Sequence, residues 1–135
     1  MPADVFFDTT VLVYLIASGD PRTQVAEPLL AKGGMISVQV LNEFANVATR
    51  KMRLSWQETE RALTAIRAFC GPPMSLAVAT HDSALHIAKR YRFHIYDSLI
   101  IASAIDAGCS VLYSEDMQHG QVINSLTIRN PFLSH

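Results

Sequence analysis

Short apolar runs alternate with segments of helical periodicity along this chain. Val5 to Phe7 reads as a buried strand, and Val11 to Ser18 as a helical stretch closed by Gly19-Asp20-Pro21. A sharp strand-to-helix turn therefore falls on Asp8-Thr9-Thr10. Residues 22–32 read as a helix ended by Gly33-Gly34, Met35 to Ser37 as a second short strand, and Val38 to about Arg50 as a helix. In that helix Val40, Leu41, Phe44, Ala45 and Ala48 form an apolar stripe, while Gln39, Asn42, Glu43 and Asn46 form a polar face. Ser55 is the expected N-cap of a helix from Trp56 to Phe69, which stops before Gly71-Pro72-Pro73. Leu76 to Val78 reads as a third strand, and a helix from Thr80 or His81 runs to about Tyr91. A last helix spans Tyr96 or Asp97 to Ala107 and closes at Gly108. Val111-Leu112-Tyr113 then reads as a buried strand and Leu126-Thr127-Ile128 as a final edge strand. Strands alternating with helices predict an α/β sandwich, its parallel sheet covered on both faces.

Composition narrows this picture only a little. At 135 residues, half of them hydrophobic, the chain suits one domain over 1–135 with a single core. A formal net charge of -1 provides no general basic field, so contact with nucleic acid must come from local patches. The two cysteines, Cys70 and Cys109, lie in apolar surroundings and too far apart for a metal knuckle or a redox pair, so buried free thiols are expected. The first residues show no leader pattern, and no apolar run is long enough to span a bilayer. A cytoplasmic setting is expected.

The acids break the apolar pattern. Asp8 in VFFDTTVLVYL, Glu43 in VQVLNEFANVA and Asp97 in HIYDSLIIASA interrupt hydrophobic stretches, and Asp116 follows VLYS. An ionised carboxylate in an apolar interior loses hydration worth several kcal/mol unless it is paired, hydrogen-bonded or bound to a cation. Asp8 and Asp116 fall at carboxyl ends of predicted strands, where open parallel sheets form their sites. Asp97 falls at a helix start and Glu43 one and a half turns into its helix, so all four can converge on one sheet edge. Two carboxylates about 4 Å apart repel by roughly 4 kcal/mol at an effective dielectric of 20, and such a cluster needs cations. Oxygen-only ligands select Mg²⁺ or Mn²⁺ over zinc. The chemistry implied is metal-assisted phosphodiester hydrolysis.

Each acid also has a plainer reading: Asp8 and Asp97 as helix caps, Glu43 as a solvated face residue, Asp116 as a turn residue. Four together in this context outweigh those separate readings. Asp106 is rotated about half a turn from Asp97 on an ideal helix and belongs to another face. Asp82 and Glu27 sit in first turns, where the helix dipole explains them, and Glu58 and Glu60 suit solvated positions. Glu115 is a possible secondary ligand beside Asp116.

Taken in order, Asp8-Thr9-Thr10, Glu43 in LNEF, Asp97 in YDSLIIASA and Ser114-Glu115-Asp116 before MQHG resemble the PIN domain, most of all the toxin ribonucleases of VapBC toxin–antitoxin modules. The resemblance covers essentially the whole chain. It implies a three-layer α/β/α sandwich with a central, mostly parallel sheet of four or five strands. It also implies a Mg²⁺ or Mn²⁺ site made by Asp8, Glu43, Asp97 and Asp116, endonucleolytic cleavage of RNA, a homodimer and a small inhibitory antitoxin. Thr9 and Ser114 match family hydroxyls that organise the site. At Thr10 the family usually has Asn or Ser, so less of a site role is expected there than of its neighbours.

For RNA phosphates the local basic clusters are Arg50-Lys51-Met52-Arg53 and Lys89-Arg90-Tyr91-Arg92, which equally suit helix C-termini. His81, His86, His94 and His119 lack ligand spacing, and surface positions are expected; His119 alone neighbours a proposed ligand. The competing readings are a PIN nuclease of RNA maturation or structured nucleic acid without a toxin role, and a non-catalytic α/β domain that binds a cation or partner.

Overall fold

A computed structural model describes residues 4–133; Met1 to Ala3, part of the stretch read for a leader, lie outside it. Strand β1 (Val5–Phe7) leads through Asp8 into α1 (Thr9–Leu12), which tightens into a 3₁₀ turn at Val13–Leu15. Helices α2 (Thr23–Ala31), α3 (Val38–Arg50), α4 (Trp56–Phe69), α5 (Val78–Tyr91) and α6 (Ile95–Asp106) follow. Strands β2 (Val111–Tyr113), β3 (Val122–Ile123) and β4 (Leu126–Arg129) complete the sheet. Its order is β1-β2-β4-β3, parallel from β1 through β2 to β4, with β3 antiparallel at the edge. Helices surround this four-stranded sheet in the predicted three-layer α/β/α arrangement.

The core follows from the periodicities. Phe6, Phe7 and Leu112 from the strands, Val40, Phe44 and Ala48 from α3, and Ile100, Ile101 and Ala104 from α6 are buried together. Burial on both faces explains why the strands read as continuous apolar runs rather than alternating ones. Ser37 caps α3 by accepting the Val40 N–H, and a reciprocal Ser55–Glu58 capping box opens α4. Cys70 and Cys109 are buried free thiols, and burial pushes both up to about 11. Among the described residues no helix is long and apolar enough to cross a membrane.

Four local expectations change. Met35 to Ser37 is not a named strand: it makes isolated parallel bridges, Met35 with Phe6 and Ser37 with Met74, before Ser37 turns into the cap of α3. The expected third strand at Leu76 to Val78 is absent. Pairing falls earlier, at Cys70 and Met74, and Val78, 78 % exposed, already starts α5 while the Thr80 hydroxyl accepts the Ala77 N–H. The helix after Asp8 begins at Thr9 and has ended before Ile16, short of the expected Ser18. Finally, β4 is not the edge, because the two-residue β3 pairs outside it through a turn in which Asn124 adopts a left-handed φ of 56°. Of the apolar residues on α2 and α4, Leu30 and Ile66 belong to the core, Leu29 and Leu63 pack partly against it, and Trp56 is 68 % exposed.

Candidate active site

Strands β1 and β2 run parallel with Phe7 opposite Tyr113, so the residues that follow each strand emerge side by side. That register brings Asp8 against Ser114. The Asp8 side chain is 2 % exposed and accepts three hydrogen bonds: from the Thr9 N–H to Oδ1 at 2.8 Å, and from the Thr10 and Ser114 hydroxyls to Oδ2 at 2.9 and 2.7 Å. Asp8 is also the N-cap of α1. Glu43, half-buried on α3, accepts from the Thr9 hydroxyl at 3.1 Å and from the Gln39 amide at 3.0 Å. Asp97 lies half-buried in the first turn of α6, and Asp116 is exposed in the loop after β2.

Electrostatics ties the four acids together. Burial pushes the Asp8 carboxyl from 3.8 up to about 7; the Ser114 and Thr10 hydroxyls pull it down, and the charges of Asp97 and Glu43 raise it further. Asp97 is also raised, by burial first, then by the charges of Glu43 and Asp116, with His94 opposing. Each acid thus lies within electrostatic reach of another, and His94, the N-cap residue of α6, sits close enough to oppose the rise at Asp97. Among the described residues no group of three His, Cys, Asp or Glu side chains is arranged to hold a metal ion by itself. The donor set is all oxygen. Mg²⁺ keeps several waters and takes only one or two carboxylates directly, so this loose acidic set suits a hydrated hard ion better than a closed cage.

Glu115 faces a different way. Its carboxylate accepts from the Tyr14 hydroxyl and is paired with Arg22 at 2.9 Å, while Arg22 lies over the Tyr14 ring and also binds Asp20. Tyr14 is pushed up to about 12, by burial first and then by Glu115. Glu115 therefore already has a cation from its own chain.

Thr10 does more than its departure from the family pattern suggests. Its hydroxyl donates to Asp8 and accepts the Glu115 N–H at 3.0 Å, which joins α1 to the loop carrying Ser114 and Asp116. The Ser114 hydroxyl does the same for the Met117 N–H at 3.2 Å. Thr10→Val, which keeps the shape and loses the hydroxyl, is expected to cost about 1–2 kcal/mol by stranding the Glu115 N–H. Thr10→Ser should match wild type in thermal unfolding. If Val and Ser variants melt together, the hydroxyl holds nothing.

Gln39 escaped sequence reasoning, although its position one turn before Glu43 was a usable signal. Its amide is buried and orients the Glu43 carboxylate. Tyr14 and Arg22 left no local signal, because their partner is about a hundred residues away in sequence. His119 does not reach toward the acids through Nδ1, which accepts the Asn130 N–H at 3.0 Å; His81 and His86 are exposed on α5. Arg50 and Lys51 end α3, Lys89 and Arg90 end α5, and Arg53 and Arg92 adopt left-handed backbone just beyond them. All six are exposed. Lys51 shares a groove with Glu43, whereas the other cluster precedes α6 by a few residues.

Comparison with known proteins follows the same lines. VapC20 of Mycobacterium tuberculosis, a Sarcin-Ricin loop cleaving toxin, matches with a TM-score of 0.68 and 23% identity, over 83% of this chain and 89% of that one. A toxin–antitoxin complex from Klebsiella pneumoniae matches with a TM-score of 0.70 and 17% identity, over 95% of this chain and 98% of that one. VapBC2 from Rickettsia felis, bound to a DNA fragment from its promoter, matches with a TM-score of 0.67 and 19% identity, over 93% and 97%. These similarities concern the fold. No curated protein sequence matches the chain. The PIN domain family model matches residues 5–122, from the first strand to the start of the β3–β4 hairpin, and encloses all four acids. By that match the chain belongs to the PIN domain family.

Proposed function

We propose that this chain is a Mg²⁺- or Mn²⁺-dependent endoribonuclease that acts in the cytoplasm as the toxin of a toxin–antitoxin pair. What supports the reading is that Asp8 and Asp116 follow β1 and β2 while Glu43 on α3 and Asp97 on α6 lie within electrostatic reach of them, with Asp8 pushed to about 7 by burial and its acidic neighbours. These four carboxylates would hold the ion. Bound there, it would activate water and neutralise charge developing on the phosphate.

The chain's own residues set the terms of that chemistry. Thr10, Ser114 and the Thr9 N–H fix both oxygens of Asp8, and Thr9 and Gln39 fix both oxygens of Glu43, so neither acid has to reorient when the substrate arrives. Among the described residues no side chain restrains Asp97 or Asp116 in this way, so both can adjust to the ligand. The toxin role and a small protein antitoxin rest on similarity to the Klebsiella pneumoniae complex and to the mycobacterial toxin over most of this chain.

Purified protein should cut single-stranded RNA with Mn²⁺ or Mg²⁺ and stop cutting with chelator, and Asp97→Asn should abolish cleavage. Its induction in a bacterial host should arrest growth, and Asp97→Asn should not. Ion-independent cutting, or an Asp97→Asn variant as active as wild type, overturns the site; cleavage without growth arrest overturns the toxin role alone.

A further inference from the structure

Beside the acids, a groove of about 560 Å³ runs between α3 and the start of α6. Along α3 it runs from Gln39 past Asn42, Glu43 and Asn46 to Lys51 at the helix end, and Tyr96 of α6 lines it as well. Helical rise puts Glu43 and Lys51 about 12 Å apart along α3. Its α3 wall is polar apart from Val47, and it meets the acidic cluster through Glu43, the one of the four acids that lines it. Tyr96 is 62 % exposed, an unusual position for a large ring beside a cluster of carboxylates. Among the described residues no hydrogen bond engages the side-chain amides of Asn42 or Asn46, and no ion pair engages Lys51.

We propose that this groove is a subsite for single-stranded RNA, in which one base beside the scissile phosphate stacks on Tyr96, Asn42 and Asn46 meet its edge, and Lys51 holds a neighbouring phosphate. The inference rests on the ribonuclease reading and adds the residues that choose where the strand lies. An exposed aromatic face takes any base, amides with both donors and acceptors free can discriminate among bases, and a lysine about 12 Å along α3 from Glu43 supplies a cation for a phosphate. A duplex would keep its bases stacked on each other and away from Tyr96, so the groove selects unpaired RNA.

The test uses the full chain and two readouts. In the first, kcat and KM are measured with Mn²⁺ on a labelled single-stranded RNA. Tyr96→Ala is expected to raise KM about tenfold with kcat little changed, and Tyr96→Phe to restore it, because the ring stacks without its hydroxyl. Lys51→Gln is expected to raise KM and to flatten the salt dependence of log KM by about 0.7. In the second, a uridine 12-mer carrying one 2-aminopurine is bound with Ca²⁺ in place of Mn²⁺; its fluorescence should be quenched by wild type and Tyr96→Phe and not by Tyr96→Ala. Cleavage by wild type with a KM and quench indifferent to Tyr96 overturns the subsite and leaves the ribonuclease standing. Tyr96-dependent quenching without cleavage supports the subsite and overturns the ribonuclease. Neither cleavage nor quenching overturns both.

Discussion

Asp8→Asn is expected to lower ion-dependent RNA cleavage about a thousandfold and, in metal-free buffer at pH 8, to make the protein more stable than wild type. The two effects have one cause. The Asp8 carboxyl is held near 7, far above its ordinary 3.8, chiefly by burial and then by the charges of Asp97 and Glu43. A group raised in the folded state leaves stability intact below its unfolded value and erodes it as pH climbs through the folded value. The window is therefore about pH 4 to 7, and by pH 8 the buried charge costs at most about 4 kcal/mol. Asn removes the charge. It also keeps the cap, since Asn and Asp cap helices equally well, and its carbonyl can still accept the Thr9 N–H. The Thr10 and Ser114 hydroxyls, which now donate to Oδ2, can instead accept from the new amide with their free lone pairs.

Urea unfolding with chelator at pH 5 and pH 8 checks this. The variant's stability relative to wild type should rise from pH 5 to pH 8, where it exceeds wild type. Millimolar Mn²⁺ should raise wild-type stability at pH 8 and leave Asp8→Asn nearly unmoved, because an ion that binds only the native state stabilises it by mass action. Equal destabilisation of the variant at both pH values would mean that Asp8 is only a helix cap.

How far the site could be read from sequence depended on how local its causes were. The Glu43 face followed from helical spacing within α3, and the strand-end positions of Asp8 and Asp116 followed from the apolar runs before them. Thr10 was underrated because its worth comes from the register of β1 on β2, which sets residues 114 and 115 beside residues 8 to 10. No pattern within either segment contains that register. The same holds for the Arg22–Glu115 pair and for the groove facing Tyr96, whose two walls are far apart in sequence. In the fold, Leu76 to Val78 misled because apolar composition was mistaken for burial, whereas the pairing at Cys70 and Met74 is hidden by the intervening prolines, which cannot donate to a ladder. Strand β3 was too short for any period, and Asn124 was its one visible sign.

Gly34→Ala is expected to destabilise the protein by about 3 kcal/mol, lowering Tm by about 10 °C, although it adds one methyl group. A Cβ at Gly34 would overlap Phe7 Cε2 and stand 3.0 Å from Cδ2 and 3.1 Å from Cζ. The ring cannot step aside cheaply, because Phe7 is fully buried and stacks near Tyr113 with centroids 6.0 Å apart. The Gly34 backbone cannot retreat either, since it is bridged to Cys70 and its successor Met35 exchanges hydrogen bonds with Val5 and Phe7. The strain falls on the residue before Asp8. Cleavage should therefore drop with stability, even though Gly34 touches none of the acids. Shrinking the ring separates this mechanism from a generic loss of backbone freedom: Phe7→Leu alone should cost stability by leaving a cavity, yet Phe7→Leu with Gly34→Ala should be more stable than the sum of the single losses requires. A double-mutant cycle that closes to zero would show that the methyl group and the ring do not meet.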